Sequence, residues 1–264
     1  MYFTQKSEQL LKAYFFSDIH FGTESPRKEK AKRKLLKLFL NRVMTDSKDL
    51  FIIGDLFDLW FEYKTAIQKE HFEVLHLLKN AIDDGLNIHY VAGNHDFWVG
   101  DFLKNEFGIH VYMEPSFFTF DSKRFFLSHG DGIAKNDTGY RLLKKVFRFK
   151  PNITMYRWLH PDLGIPLAKW VSGTSRKHSG SIDLHDEDDY IEYAEEHIGK
   201  GADFVLMGHR HNPVKHLFPN DKCYVNTGDW LHHYSYAVYE HGSLELKDLK
   251  NEFTHIFHSM DTNV

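Results

Sequence analysis

Five short apolar runs in this chain each end in a polar cluster, and this repeated pattern constrains the fold more than any other feature. Residues 13–16 run into Ser17-Asp18-Ile19-His20, 50–53 into Gly54-Asp55, and 88–92 into Gly93-Asn94-His95-Asp96. Residues 124–127 run into Ser128-His129-Gly130-Asp131, and 203–207 into Gly208-His209-Arg210-His211. Aromatic and β-branched runs bounded by polar turn residues read as strands. Between the first three lie segments with helical periodicity: Leu35, Leu36, Leu38, Phe39 and Val43 in one, Phe72, Leu75, Leu78 and Ile82 in the other. Strands alternating with amphipathic helices indicate βαβ units, an α/β fold in which ligands sit just beyond the carboxyl ends of the strands. All five clusters fall there.

Later segments change character. Residues 117–129, with Asp121-Ser122-Lys123 as turn, and 214–228, with Pro219-Asn220-Asp221, read as hairpins, so the sheet should become mixed or antiparallel toward its end. Successive clusters are 37, 39 and 35 residues apart from Asp18 through Asp55 and Asn94 to His129, yet His129 to His209 spans 80. The excess coincides with residues 135–177, where ten Lys and Arg meet only Asp137 and Asp162. Apolar Leu143, Phe147, Trp158 and Trp170 interleave with those charges. This stretch, about 135–180, reads as a helical cap inserted into a single domain of residues 1–250, with 251–264 a tail. The basic run Arg27 to Lys37 reads as a solvated helix face.

At 264 residues, 42% hydrophobic and 27% charged, the composition is that of a compact globular chain and excludes disordered or collagenous classes. No apolar run approaches the ~18 residues of a membrane-crossing helix, and the early Lys6, Glu8 and Lys12 interrupt the apolar block a signal peptide needs. A cytoplasmic chain is expected. The single Cys223 supplies neither an intramolecular disulfide nor a thiolate cluster. A net charge of −4, with the basic residues gathered in an insertion, gives no reason to expect nucleic acid as partner.

Singly, each cluster has a plainer reading: Asp-x-His as a cap, Gly-Asp as a turn, Asn-His-Asp as an Asx turn. His-x-His projects both rings one way only if the backbone turns, which Gly208 permits. Together, Asp18, His20, Asp55, Asn94, His129, His209 and His211 form a set of nitrogen and oxygen donors without thiolate, suited to Mn²⁺, Fe²⁺ or Zn²⁺. Seven donors suit two ions about 3.5–4 Å apart sharing a carboxylate.

The motifs D-x-H, G-D-x-x-D, G-N-H-D, H-G-D and G-H-x-H stand in order at Asp18/His20, Gly54 to Asp58, Gly93 to Asp96, His129 to Asp131 and Gly208 to His211, and over roughly residues 13–240 the chain resembles the calcineurin-like metallophosphoesterase superfamily. The resemblance implies a sandwich of mixed β-sheets flanked by helices. It implies one metal on Asp18, His20, Asp55 and His211 and a second on Asp55, Asn94, His129 and His209, with a bridging water attacking phosphorus. His95 then stabilises charge or protonates the leaving oxygen, oriented by Asp96, while Asp58 and Asp131 stand behind the ligands. Residues 129–137, Tyr140-Arg141, Arg176-Lys177 and Gly228-Asp229-Trp230 further resemble the UDP-2,3-diacylglucosamine hydrolases. Those Mn²⁺ enzymes of lipid A synthesis, peripheral at a membrane, release lipid X and UMP and hold acyl chains under a helical insertion. By that match Asn94, His95, Asp137, Arg176, Lys177 and His209 touch substrate. The better-known branch of these enzymes has Arg where this chain has His95, which leaves open a metallophosphoesterase acting on another lipid or nucleotide phosphate. A scaffold without activity would not need all seven donors and His95.

Overall fold

The computed structural model describes residues 11–178 and 185–261, with side chains over 11–171 and 187–257. The chain opens with three βαβ-type steps: β1 (Lys12–Phe16), α1 (Pro26–Asp46), β2 (Asp49–Ile53), α2 (Phe72–Asp83), β3 (Asn87–Val91), then α3 (Phe102–Phe107) and β4 (His110–Tyr112). β1 to β4 are mutually parallel neighbours. β5 (Ser116–Phe120) and β6 (Lys123–Leu127) form the first expected hairpin, with Asp121 and Ser122 at positive φ in the tight turn. Three helices follow within 135–178: α4 (Thr138–Arg148), α5 (Lys150–Arg157) and α6 (Pro161–His178). Then come α7 (His185–Gly199), β7 (Phe204–Met207) and the second expected hairpin, β8 (Val214–Phe218) with β9 (Lys222–Asn226).

The chain does not simply extend one sheet. β5 to β9 make a second, five-stranded sheet in the order β5-β6-β7-β9-β8, in which β6, β7 and β9 run parallel. Residues 235–248 carry no strand assignment from the sequence, yet β10 (Ser235–Glu240) and β11 (Ser243–Asp248) form a hairpin around His241-Gly242, and β10 pairs antiparallel with β1. The first sheet is therefore six-stranded, β11-β10-β1-β2-β3-β4. Residues 249–261, taken from the sequence as tail from 251, form α8 (Leu249–Glu252) and α9 (Thr254–Asp261). Ile256 is buried and Phe257 sits edge-on to Tyr234, because α9 packs beside α1 and α8 and adds its apolar positions to the core under α1.

Strand alternation divides the core into three layers. From β1, Ala13 and Phe15 point between the sheets, where Phe15 stacks on Phe51 at 4.8 Å and on Phe125 at 5.6 Å. Tyr14 and Phe16 point to the other face, under α1 and α2, with Phe39, Leu78 and Trp230. The outer face of the second sheet is covered by α7 through Tyr190 and Ala194. Both sheets are thus buried on both faces, which explains why β1 and β2 read as unbroken apolar runs.

Phe15→Ala removes a ring wedged between the sheets and is expected to destabilise the fold by about 3–5 kcal/mol, whereas Phe72→Ala, at a side chain 66% exposed, should stay within about 0.5 kcal/mol. Urea unfolding midpoints of the two variants check this contrast.

Candidate metal centre

The strand ends that carry the polar clusters belong to β1, β2 and β3 in one sheet and to β6 and β7 in the other, and the seven candidate ligands converge where these two sets of parallel strands stop. Five of the seven have left-handed backbones: Asp18 (φ 53°), His20 (50°), Asp55 (53°), His209 (69°) and His211 (56°). Such conformations cost side-chain-bearing residues energy and persist where the surroundings impose them. They bend the chain so that residues two apart face one volume. His209 and His211 make this turn themselves; Gly208, expected to permit it, has no positive φ. Gly208 serves a different purpose, since a Cβ there would lie 2.5 Å from Asp18 Oδ2 and Ser17 Oγ, and one on Gly93 would strike Asp55 Oδ1. The loops meet only because these positions lack side chains.

The donors fall into two groups. In the first, Asp18 Oδ1 lies 3.6 Å from His20 Nε2 and 3.4 Å from His211 Nε2, the two imidazole nitrogens are 3.3 Å apart, and Asp55 Oδ2 is 3.7 Å from His20 Nε2. In the second, His129 Nε2 is 3.2 Å from Asp55 Oδ2 and 2.9 Å from Asn94 Oδ1, which is 2.8 Å from His209 Nδ1. The same oxygen, Asp55 Oδ2, belongs to both. Asp18 Oδ1 is buried and accepts no hydrogen bond. A buried carboxylate oxygen without a donor is costly, and the inward-facing lone pairs around it fit a divalent cation about 2.0–2.2 Å from each. The donor set therefore fits the metal pair that the sequence motifs imply.

The far side of each ring is held. His129 Nδ1–H donates to the Ile53 carbonyl at 2.9 Å, His211 Nδ1–H to Asp229 Oδ2 at 3.1 Å, and His20 Nδ1 faces Asp58 Oδ1 at 3.6 Å. Such partners fix which nitrogen faces inward. Asp229 escaped the sequence reading as a site residue. Its position just beyond β9, the same place the other clusters occupy on their strands, is the signal that would have found it. Its other oxygen accepts the amides of His232 and His233, and although burial opposes ionisation, His211 and these amides hold its carboxyl below the usual range.

His95 sits beside the first group, its ring edge-on to His20 at 4.7 Å and its Nε2 4.0 Å from Asp55 Oδ2. Asp96 does not orient it. Consecutive loop residues point apart, and the Asp96 carboxylate turns inward to accept the amides of Gly93 (2.6 Å) and Leu56 (3.0 Å) and the Tyr90 hydroxyl. Burial, then the charge of Asp55, pushes the Asp96 carboxyl up to about 7. The partner of His95 is Asp58, whose carbonyl accepts from Nδ1 at 2.7 Å. Asp131 accepts from Tyr140 Oη at 2.9 Å and pairs with Lys144 at 2.6 Å, tying the loop after His129 to α4. Asp137 lies at the N-terminal boundary of α4, where its amide donates to Ala134 O. Arg176 and Lys177 lie on α6, but their side chains fall outside the described ones.

A cavity of about 380 Å³ opens on this centre. Asp58, Asn94 and His95 line one end, while Leu143, Val146, Phe147, Ile153, Tyr156 and Leu167 of α4, α5 and α6 line the rest. Phe147 packs inward against Trp98, whereas Trp158 and Trp170 are 87% and 70% exposed.

A family model described as calcineurin-like phosphoesterase matches residues 11–213. The chain belongs to that family. The phosphoesterase is 32% identical over 257 residues to the UDP-2,3-diacylglucosamine hydrolase of Porphyromonas gingivalis, covering 91% of this chain and 98% of that one. It is 24% identical over 227 residues to the enzyme of the same name from Haemophilus influenzae strain PittGG, covering 84% and 92%. Among solved structures, vacuolar protein sorting 29 of Cryptosporidium parvum superposes with a TM-score of 0.43 at 13% identity, covering 89% of this chain and 95% of that one. The protein is a metal-dependent hydrolase of the α/β sandwich class, and its family acts with divalent metals on phosphoesters.

Without a cation the phosphoesterase holds protons in its centre. Burial opposes the charge on His20, but the carboxylates of Asp18, Asp58 and Asp55 around it outweigh it and raise the ring to about 9; His129 is likewise raised by Asp55 against the effect of burial. A cation binds imidazole only after displacing such protons. Mn²⁺ uptake should therefore release protons, with apparent affinity rising from pH 6 toward pH 9, where His20 loses its proton unaided. Calorimetric titration in buffers of different ionisation enthalpy measures this, and heats independent of buffer would refute it.

Proposed function

We propose that this phosphoesterase cleaves the pyrophosphate of UDP-2,3-diacylglucosamine to lipid X and UMP. The observation that carries the proposal is the apolar cavity under α4, α5 and α6, which opens on Asn94 and His95. A diacylated sugar needs a room for its acyl chains directly beside the reacting phosphorus, and a hydrophilic nucleotide substrate does not. The names of the Porphyromonas and Haemophilus relatives support the same substrate.

In this reading Asp18, His20, Asp55 and His211 hold one ion, and Asp55, Asn94, His129 and His209 the other, with Mn²⁺ the expected metal. Bound ions supply an acidified water and neutralise charge on the phosphoryl oxygens. The residues of the chain do the rest. Asp55, whose Oδ2 belongs to both donor groups, would help to hold both ions. The Asp58 carbonyl accepts a hydrogen bond from Nδ1–H of His95 and so turns Nε2 toward the substrate, where a ring protonated on both nitrogens would donate to the leaving oxygen or stabilise its charge. Asn94 and His209 line the approach, and Asp137, Arg176 and Lys177 remain proposed contacts to sugar or phosphate.

Residues 135–180 act as a cap, and its outer face supports contact with a membrane surface. Met155 of α5, Trp158 just after it, and Leu163 and Trp170 of α6 are exposed beside Lys150 and Arg157, the mixture that settles at a lipid headgroup boundary. No described helix is long and apolar enough to cross a membrane. The enzyme would take its amphiphilic substrate from the bilayer as a peripheral protein on the cytoplasmic side.

Mn²⁺-loaded enzyme incubated with UDP-2,3-diacylglucosamine is expected to yield UMP and a diacylated sugar 1-phosphate by mass spectrometry. Intact substrate, from enzyme that still hydrolyses an aryl phosphate, would instead assign the site to another lipid or nucleotide phosphoester. Asp55→Ala should lose at least one ion and nearly all turnover. His95→Ala should keep both ions and lose about 10²-fold or more in kcat, the scale of a positioned acid or base. Elemental analysis beside the kinetics separates the two, and equal metal loss would contradict these roles.

A further inference from the structure

We propose that Lys32 is a positioning residue for one of the two ion sites: its buried ammonium holds the backbone turn of Ile19 and His20 that presents the His20 imidazole. The proposal rests on the two-ion reading above and concerns a residue that the sequence places in a solvated basic face.

Arg27, Lys28, Lys30, Lys34 and Lys37 do lie exposed on α1. Lys32 is 0% exposed. A helix lysine ordinarily buries its methylenes and keeps its charge in water. Here Nζ donates to the carbonyls of Ile19 at 3.0 Å and His20 at 3.2 Å, with Glu29 Oε1 at 3.1 Å and Glu24 Oε2 at 3.5 Å. An ammonium has three protons to give, and these neighbours exhaust them.

The loop it holds is anchored on opposite sides. Its amides are fixed by the loop just beyond β2: Asp18 N–H donates to Gly54 O, His20 N–H to Asp55 O and Phe21 N–H to Leu56 O. Its carbonyls at positions 19 and 20 face α1, where the ammonium receives them. His20 is held between at φ 50°, a conformation its side chain disfavours. With the ammonium gone, two buried carbonyls lose a donor and the loop is free to relax toward negative φ. That relaxation swings the imidazole away from Asp18 Oδ1 and His211 Nε2. Asn94, His129 and His209 hang from β3, β6 and β7, which Lys32 does not touch, and the shared Asp55 carboxylate is held separately by the His95 amide on Oδ1, so the second site should be spared.

Lys32→Met alone would strand two glutamates, so the test uses it together with Lys32→Met/Glu24→Gln/Glu29→Gln, in which no buried charge is left over. In the triple variant, calorimetry with Mn²⁺ should show one site weakened by about 10- to 100-fold, the scale for partners that orient a ligand, and the other within about 2-fold. Electron paramagnetic resonance should show the coupled signal of a Mn²⁺ pair giving way to that of isolated ions. Glu24→Gln, which keeps the ammonium, should retain both sites. Two sites of wild-type affinity in the triple variant, equal weakening of both sites, or loss of a site in Glu24→Gln each overturns the positioning role, whatever happens to the melting temperature. A wild-type protein that binds no Mn²⁺ pair would instead overturn the two-ion reading itself.

Discussion

Everything in this structure is arranged around carboxylates and imidazoles gathered out of water. Asp18 and Asp55 are buried within about 4 Å of His20, His95, His129 and His211, and among the described residues no arginine or lysine pairs with either carboxylate. Burial penalises both charges, yet the surrounding rings hold Asp55 well below the ordinary carboxylate range. Such a cluster is unfavourable unless something positive occupies its middle. Divalent ions do this, and the fold accepts left-handed backbones at five ligand positions and bare glycines at loop contacts to bring the donors around them. The two sheets share the work: three strand ends come from one and two from the other, so the centre exists only where the sandwich closes.

The sequence made much of this legible because strand ends are local. An apolar run followed by Asp, Asn or His announces both the strand and its terminal ligand, and the structure brings all seven named residues into one volume. The two hairpins with polar turns were equally plain. What escaped depends on side chains reaching across the fold. Asp96 follows His95 in the chain but turns inward to cap backbone amides, and Asp58, distant in sequence, takes the place next to that ring. Lys32 sits in a run of lysines that share its helix, and only packing shows that its charge is buried. The β10–β11 hairpin, which completes the first sheet, received no strand assignment inside the 1–250 domain, and α9 lay in the stretch from 251 that passed for a tail.

The three helices between β6 and β7 show how one fold is fitted to a particular chemistry. Their inner residues build an apolar room against His95, and their outer residues offer tryptophans to the surroundings. The link from Asp131 to Tyr140 and Lys144 ties this room to the loop of His129, so the cavity wall and a candidate metal ligand are joined through three side chains.

The pairing of β10 with β1 has a consequence for the order in which the molecule assembles. β1 is made early, but its neighbour on one side arrives more than two hundred residues later. The Asp18 carbonyl accepts the amide of Trp230, whose ring lies against Phe16 at 5.4 Å. A nascent chain that has displayed Asp18, His20 and Asp55 thus still lacks the clamp that sets the first of them, and contacts of such long sequence separation form late and slowly. Translation delivers this centre as scattered polar loops, and a segment made more than two hundred residues after β1 completes the clamp on Asp18.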